Sequence, residues 1–262
     1  MEIIPVFPFS EGELAGVRET FLERLFERKV AEVKAGPLDD LAFRLVRGGF
    51  PEAVARKVEA RREAWFGSHL SAVLQRDVRE LARVEGLHAL PNLLKLLAAR
   101  VSGLLNVADV ARDSGLPHTT VTRYLTLLEM VFLINRLPAW SANVGKRPVK
   151  ASKLHLVDSG LACHLVGASA QRLAEDRTLF GRMLETFVVS ELRKQVSWVD
   201  PRISLYHFRT ANAMEVDGVL EKSDGLVAGV EIKAGATRGS SDFAGLRELR
   251  DQLVSCHLNE FI

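Results

Sequence analysis

Apolar positions recur at helical spacing through the first third of the chain. Leu14, Val17, Phe21, Leu25 and Phe26 fall on one stripe and predict a helix over 11–34. Ser10 with Glu13 has the spacing of a capping box, and Gly36-Pro37 supplies a stop. A short helix is predicted over 41–46, followed by the turn Gly48-Gly49-Phe50-Pro51-Glu52, with proline placed where a new helix begins. That next helix, over 52–82, carries Trp65, Phe66, Leu70, Val73, Leu74, Val78 and Leu81 on one face, the pattern of core packing.

The middle of the chain has a sharper pattern. Two short helices meet at Gly115, small Ala111 permits their close approach, and Val121 and Leu125 pack the second onto the first. This spacing predicts a helix-turn-helix with Ala111, Gly115, Val121 and Leu125 packed inside and Thr119, Thr120, Arg123 and Thr126 facing out. The strand-like run over 131–137 and a strand over 153–157 supply a wing. Beyond them a helix over 179–196 turns Met183, Leu184, Phe187, Val188 and Leu192 inward. Strands over 203–208, 215–221 and 226–234 and a helix over 242–253 follow. The fold class read from this order is α+β and multidomain.

Composition narrows the picture. With 47% hydrophobic and 26% charged residues in 262, the chain matches a soluble globular protein that is long enough for one large domain or two to three small ones. Thirty-five Lys and Arg against 33 Asp and Glu leave a net charge of +2, so a basic surface would have to be local. Two cysteines, Cys163 and Cys256, have neither metal-site nor disulfide-framework spacing. No basic-then-apolar leader and no membrane-length apolar run is present, and a cytoplasmic location is expected with no membrane partner.

Candidate chemistry lies in the last third. Glu231-Ile232-Lys233 ends the third strand, Asp217 lies on the strand before it, and Glu185 lies on the preceding helix. Convergent carboxylates beside an ammonium suit metal-dependent phosphodiester cleavage. Asp217 and Glu231 would hold Mg²⁺, which polarises the phosphate, and Lys233 would offset developing charge. The plainer reading of Glu-x-Lys is charge alternation on a solvated strand face. Thr119, Thr120 and Arg123 are the candidate nucleic-acid contacts, with DNA the expected partner, and one arginine with threonines is a thin phosphate-binding set.

The blocks Phe7-Pro8-Phe9-Ser10, Gly48-Gly49-Phe50-Pro51-Glu52, Gln75-Arg76-Asp77-Val78, Lys150-Ala151-Ser152-Lys153-Leu154, Asp158-Ser159-Gly160-Leu161-Ala162, Leu184-Glu185-Thr186-Phe187-Val188, His207-Phe208-Arg209, Glu215-Val216-Asp217 and Glu231-Ile232-Lys233-Ala234 occur in order over nearly the whole chain. Together they resemble the C-terminal region of prokaryotic AAA+-type ATP-binding proteins, the domain of unknown function numbered 4143. The resemblance implies a helical lid-like segment (1–84), a winged helix-turn-helix (85–145) and a restriction-endonuclease-like α/β domain of the PD-(D/E)xK type (146–262). It implies that Asp217, Glu231 and Lys233 match that motif and that Glu185 matches its helical acid. It also implies an ATPase core, which is absent from this chain. Gly145-Lys146-Arg147 lacks the glycine, the Ser/Thr and the helix of a phosphate-binding loop, so ATP binding and hydrolysis by these residues alone are not expected. The family pattern continues beyond Gly245-Leu246 into a further strand, whereas Cys256 to Ile262 does not match it and reads as a truncation. A metal-dependent nuclease-like module and a non-catalytic module gripping a protein partner remain the two functional expectations. A transcription regulator fits the flanking regions less well.

Overall fold

The computed structural model describes residues 6–30, 36–81, 87–147, 150–235 and 239–255. The capping box forms as its spacing predicts: Ser10 and Glu13 bond reciprocally at the start of α1 (Glu11–Ala15). The single helix expected over 11–34 does not form. Gly16, at φ +67°, ends α1 in the left-handed region, and the chain restarts as α2 (Phe21–Phe26). Tertiary packing overrides the stripe here, because the turn leaves Val17 exposed and lets Leu22 and Leu25 reach a distant core. Residues 31–35 lie outside the described residues.

Pro37 caps α3 (Leu38–Arg47) rather than only stopping what precedes it. The long helix expected over 52–82 is also divided. After α4 (Pro51–Val54) the chain folds back into α5 (Glu59–Ala72), bringing Phe50 against Trp65 and His69 with ring centroids 5.5 and 5.0 Å apart. A π-helical turn over Val73–Asp77 then leads into α6 (Val78–Leu81). The expected stripe survives these breaks, since Phe66, Leu70, Leu74 and Val78 are buried.

A short 3₁₀ turn (Leu87–Ala89) precedes α7 (Leu90–Ala98), and the helix-turn-helix follows as α8 (Val107–Ser114) and α9 (His118–Met130). Asn106 caps α8 by accepting from the Ala108 and Asp109 N–H groups at 3.0 and 3.3 Å. Gly115 ends it at φ +69°. Val121 and Leu125 are buried as expected; Ala111 is half-buried and Gly115 is exposed, because the left-handed turn projects outward.

An antiparallel ribbon follows. β1 (Ile134–Leu137) pairs with β2 (Lys153–Leu156) in the register Ile134↔Leu156 to Leu137↔Lys153. Strand structure starts at Ile134 and not at Val131, because the chain first turns through Phe132 at φ +57°. All four β2 residues are buried. Past β1 the chain bridges in parallel from Ala139 to His207, where the Trp140 N–H donates to the His207 carbonyl at 2.6 Å.

Two helices, α10 (Ser159–Val166) and α11 (Ala170–Glu175), pack against α3. The long α12 (Arg177–Val199) then joins the halves. Its first turns bury Phe180, Met183 and Leu184 in the helical core, and Leu192 packs on the far sheet. That sheet is the expected meander: β3 (Ser204–Arg209), β4 (Glu215–Glu221) and β5 (Val227–Val230), ordered β3-β4-β5 and antiparallel. The last strand stops four residues short of the expected 234. Finally, a 3₁₀ turn over Ser240–Phe243 leads into α13 (Ala244–Ser255), whose Leu249 and Leu253 cover Val216, Val219 and Val227. The mixed α+β class is as expected. The expected truncation after Ser255 falls on residues 256–262, outside those described.

Candidate acidic site

Three elements deliver charge to one buried point. β2 alternates Lys153 and His155 towards α12, with Leu154 and Leu156 in the helical core. On α12, Glu185 and Thr186 meet them. On β4 the pairing slips between Tyr206↔Val219 and Phe208↔Val216, so Asp217 and Gly218 together oppose His207. This bulge re-aims Asp217, which would otherwise face away from α12 in step with Val219.

The Lys153 side chain is 2% exposed, and its ammonium lies 2.7 Å from Glu185 Oε1 and 2.9 Å from Asp217 Oδ1, with Glu215 also paired to it. The other Asp217 oxygen, Oδ2, accepts the Ile232 N–H at 2.9 Å. That bond takes the place of a ladder partner, which is why β5 ends at Val230. Asp217 and Glu185 thus meet at Lys153, and Glu231 and Lys233 lie near enough to feel the Asp217 charge. Glu231 pairs with Lys233 rather than with Lys153, and its Oε2 is buried without a hydrogen-bond partner among the described residues.

The titration of the site follows from charge balance. Burial works against the Lys153 ammonium, but Glu185, Asp217 and Glu215 outweigh it and hold its pKa above the usual lysine range. Burial raises Glu185 to about 8 despite Lys153, with Asp217 and Glu215 adding repulsion. Three carboxyls around one ammonium carry excess negative charge, and a proton kept on Glu185 removes part of it. Burial likewise raises Glu231 to about 7, with Lys233 opposing and Asp217 reinforcing the shift. His155 is pushed well below its ordinary value by burial and then by Lys153, so the imidazole at the back of the site is neutral.

Lys153, Glu215, His155 and His207 were not among the residues marked by the motif. Lys153-Leu154-His155-Leu156, polar and apolar by turns in one strand, is the signal that could have found Lys153 and His155. Among the described residues, no group of three or more His, Cys, Asp or Glu side chains is arranged to hold a metal ion.

On the helix-turn-helix, Thr119 and Arg123 are exposed and Thr120 is half-buried. Arg123 has no hydrogen bond or ion pair among the described residues. The neighbouring Arg112 is held by Asp109 and Asp113, and Arg100 by Asp113, which leaves little free positive charge on this face. Gly145 and Lys146 lie in a 3₁₀ turn and Arg147 forms a two-pronged ion pair with Glu221. No helix among the described residues is long and apolar enough to cross a membrane.

The chain thus combines a helical unit, a ribbon and a three-stranded sheet, joined by one long helix. The model of a family described as a domain of unknown function (DUF8612) matches residues 38–172, and that of a second domain of unknown function (DUF4143) matches residues 180–259. The first match takes in just over half of the chain, which belongs to the DUF8612 family. The chain is 29% identical over 213 residues to uncharacterized proteins of Mycobacterium bovis and Mycobacterium tuberculosis, covering 81% of this chain and 46% of each relative. It is 26% identical over 183 residues to an uncharacterized protein of Haemophilus influenzae, covering 68% of this chain and 42% of that protein. The aligned part thus spans less than half the length of these relatives. No solved structure matches the chain significantly.

Proposed function

We propose that this chain is the C-terminal part of a longer cytoplasmic AAA+-type ATP-binding protein. In this reading it is a non-catalytic interaction module in which a winged helix and a PD-(D/E)xK-like α/β unit form one body. The observation that carries the reading is the occupation of Asp217. One carboxylate oxygen is bonded to buried Lys153 and the other to the Ile232 N–H, each at 2.9 Å. A hard divalent cation needs free oxygen ligands at about 2.0–2.1 Å. These residues, as arranged, do not fit Mg²⁺, and the lysine supplies the positive charge a metal would otherwise bring.

The winged-helix assignment is supported by the order α7, α8, α9 and then the β1–β2 ribbon, with Leu104 joined to Lys153 by an isolated antiparallel bridge. The acids interleaved with Arg100 and Arg112 favour a protein partner over DNA on the face of Thr119, Thr120 and Arg123. The length of the relatives supports an additional ATPase core, through which alone ATP would act.

The test is a melting series with Mg²⁺ and Mn²⁺ together with a cleavage assay on duplex and branched DNA. The expected result is neither stabilisation nor cleavage, because a ligand that does not bind the folded state cannot stabilise it. A second reading, metal-dependent nuclease, is favoured by one specific observation: the buried, unpartnered Oε2 of Glu231 next to Lys233. Metal-dependent cleavage that disappears in Asp217→Asn would replace the first reading with the second.

A further inference from the structure

The helical half contains a cleft of about 780 Å³, walled by α5 and its π-helical continuation, by α7 and by the end of α10. This volume lies within the range of small-molecule sites. Its floor is apolar, formed by the buried side chains of Leu70, Leu74 and Leu94. Lys95 is the charged side chain among its described lining residues, with His88, His164, Ser71 and Gln75 the other polar ones.

One of these groups, Lys95, is open to an external partner, and a second, His164, is held in place on the wall. Lys95 is exposed and makes no hydrogen bond or ion pair among the described residues. His164 bonds through Nδ1 to Glu63 and stacks on Phe66 at 5.6 Å, which fixes the ring. Its Nε2 is left facing Gly67 on the cleft wall, 3.9 Å from where a β-carbon there would lie. The wall itself is irregular in a telling way. The π turn, whose wider backbone is costly and recurs at functional sites, turns Leu74 into the floor and sets Gln75 at the mouth.

We infer that this cleft binds an amphipathic monocarboxylate, its apolar body on Leu70, Leu74 and Leu94 and its carboxylate on the Lys95 ammonium. The site is independent of the acidic cluster, so its fate does not depend on whether that cluster is catalytic. A neutral or cationic head on the same body would leave Lys95 unpaired or repel it, which makes charge the discriminating variable.

The probe is decanoate, titrated calorimetrically below its micelle concentration, with decanol and decyltrimethylammonium as matched neutral and cationic controls. Decanoate should bind saturably, one per chain, with the cation at least about tenfold weaker. Lys95→Glu should weaken decanoate by about tenfold or more, and Ser71→Trp, which fills the mouth without removing charge, should abolish binding. Both positions are exposed, and unchanged circular dichroism confirms that the variants fold. Absence of saturable decanoate binding, equal affinity for the cationic control, or an unchanged affinity in Lys95→Glu would each overturn the inference.

Discussion

The acidic site and the helix-turn-helix face place charge in opposite physical settings. Lys153 is almost fully buried and has three carboxyl partners, whereas Arg123 is exposed and has none among the described residues. A charge removed from water requires compensation within the protein, and removing one member of such a group strands the others. An exposed guanidinium is solvated and its loss costs the fold almost nothing. The same residue class is therefore structural in one region and available for contacts in the other.

The sharpest way to break this contrast is Lys153→Met. It should cost about 3–5 kcal/mol in urea unfolding by leaving Glu185, Glu215 and Asp217 without their cation. Adding Glu185→Gln and Asp217→Asn should recover part of the loss, since neutral groups need less compensation. A cost no larger than that of an ordinary surface lysine would show that the acids are not held by Lys153.

Glu231→Gln sharpens the comparison through pH. Burial raises the Glu231 carboxyl from 4.5 to about 7, so the folded state binds a proton that the unfolded state has already released. The stability tied to that proton is fully present below about pH 4.5 and is lost as pH rises through about 7. Wild type should therefore lose stability relative to Glu231→Gln between about pH 5 and 8. The expected change is a few degrees in melting temperature, because ~1 kcal/mol shifts a chain of this size by about 2–4 °C. Parallel melting curves across that window would remove Glu231 from the buried site.

Asn106→Ala should cost about 1 kcal/mol, the usual worth of a cap that satisfies the first N–H groups of a helix. Chemical denaturation measures it, and no loss would mean that water caps α8 equally well. The smallest effect belongs to Arg123→Ala, expected within ~0.5 kcal/mol of wild type in the same assay. Mobility-shift titrations with duplex DNA should show no salt-dependent complex. A complex whose logarithmic salt slope falls by about one on this substitution would turn the face into a nucleic-acid surface.

Much of the fold could be read locally. The capping box at Ser10, the turn at Gly115, the meander and the stripe Phe66-Leu70-Leu74-Val78 all depend on neighbours a few residues apart. That Glu185 and Asp217 lie on facing elements was legible because helix and strand order limit where these acids can go. Where long helices break was not legible: Gly16 and the stretch after Val54 yield to contacts with α12 and Trp65, and no periodicity records those.

By itself, then, the sequence determined the order and type of most elements and the set of acids, because propensity, capping and alternation act over one or two turns of chain. Only the tertiary structure decided what neutralises those acids. Lys153 lies 32 residues before Glu185 and 64 before Asp217, on a ribbon read as the wing of another unit. It reaches them because β2 is buried against α12 and because a bulge turns Asp217 towards it. Ion pairing depends on distance in space and on burial, and neither is written in the spacing of residues along the chain.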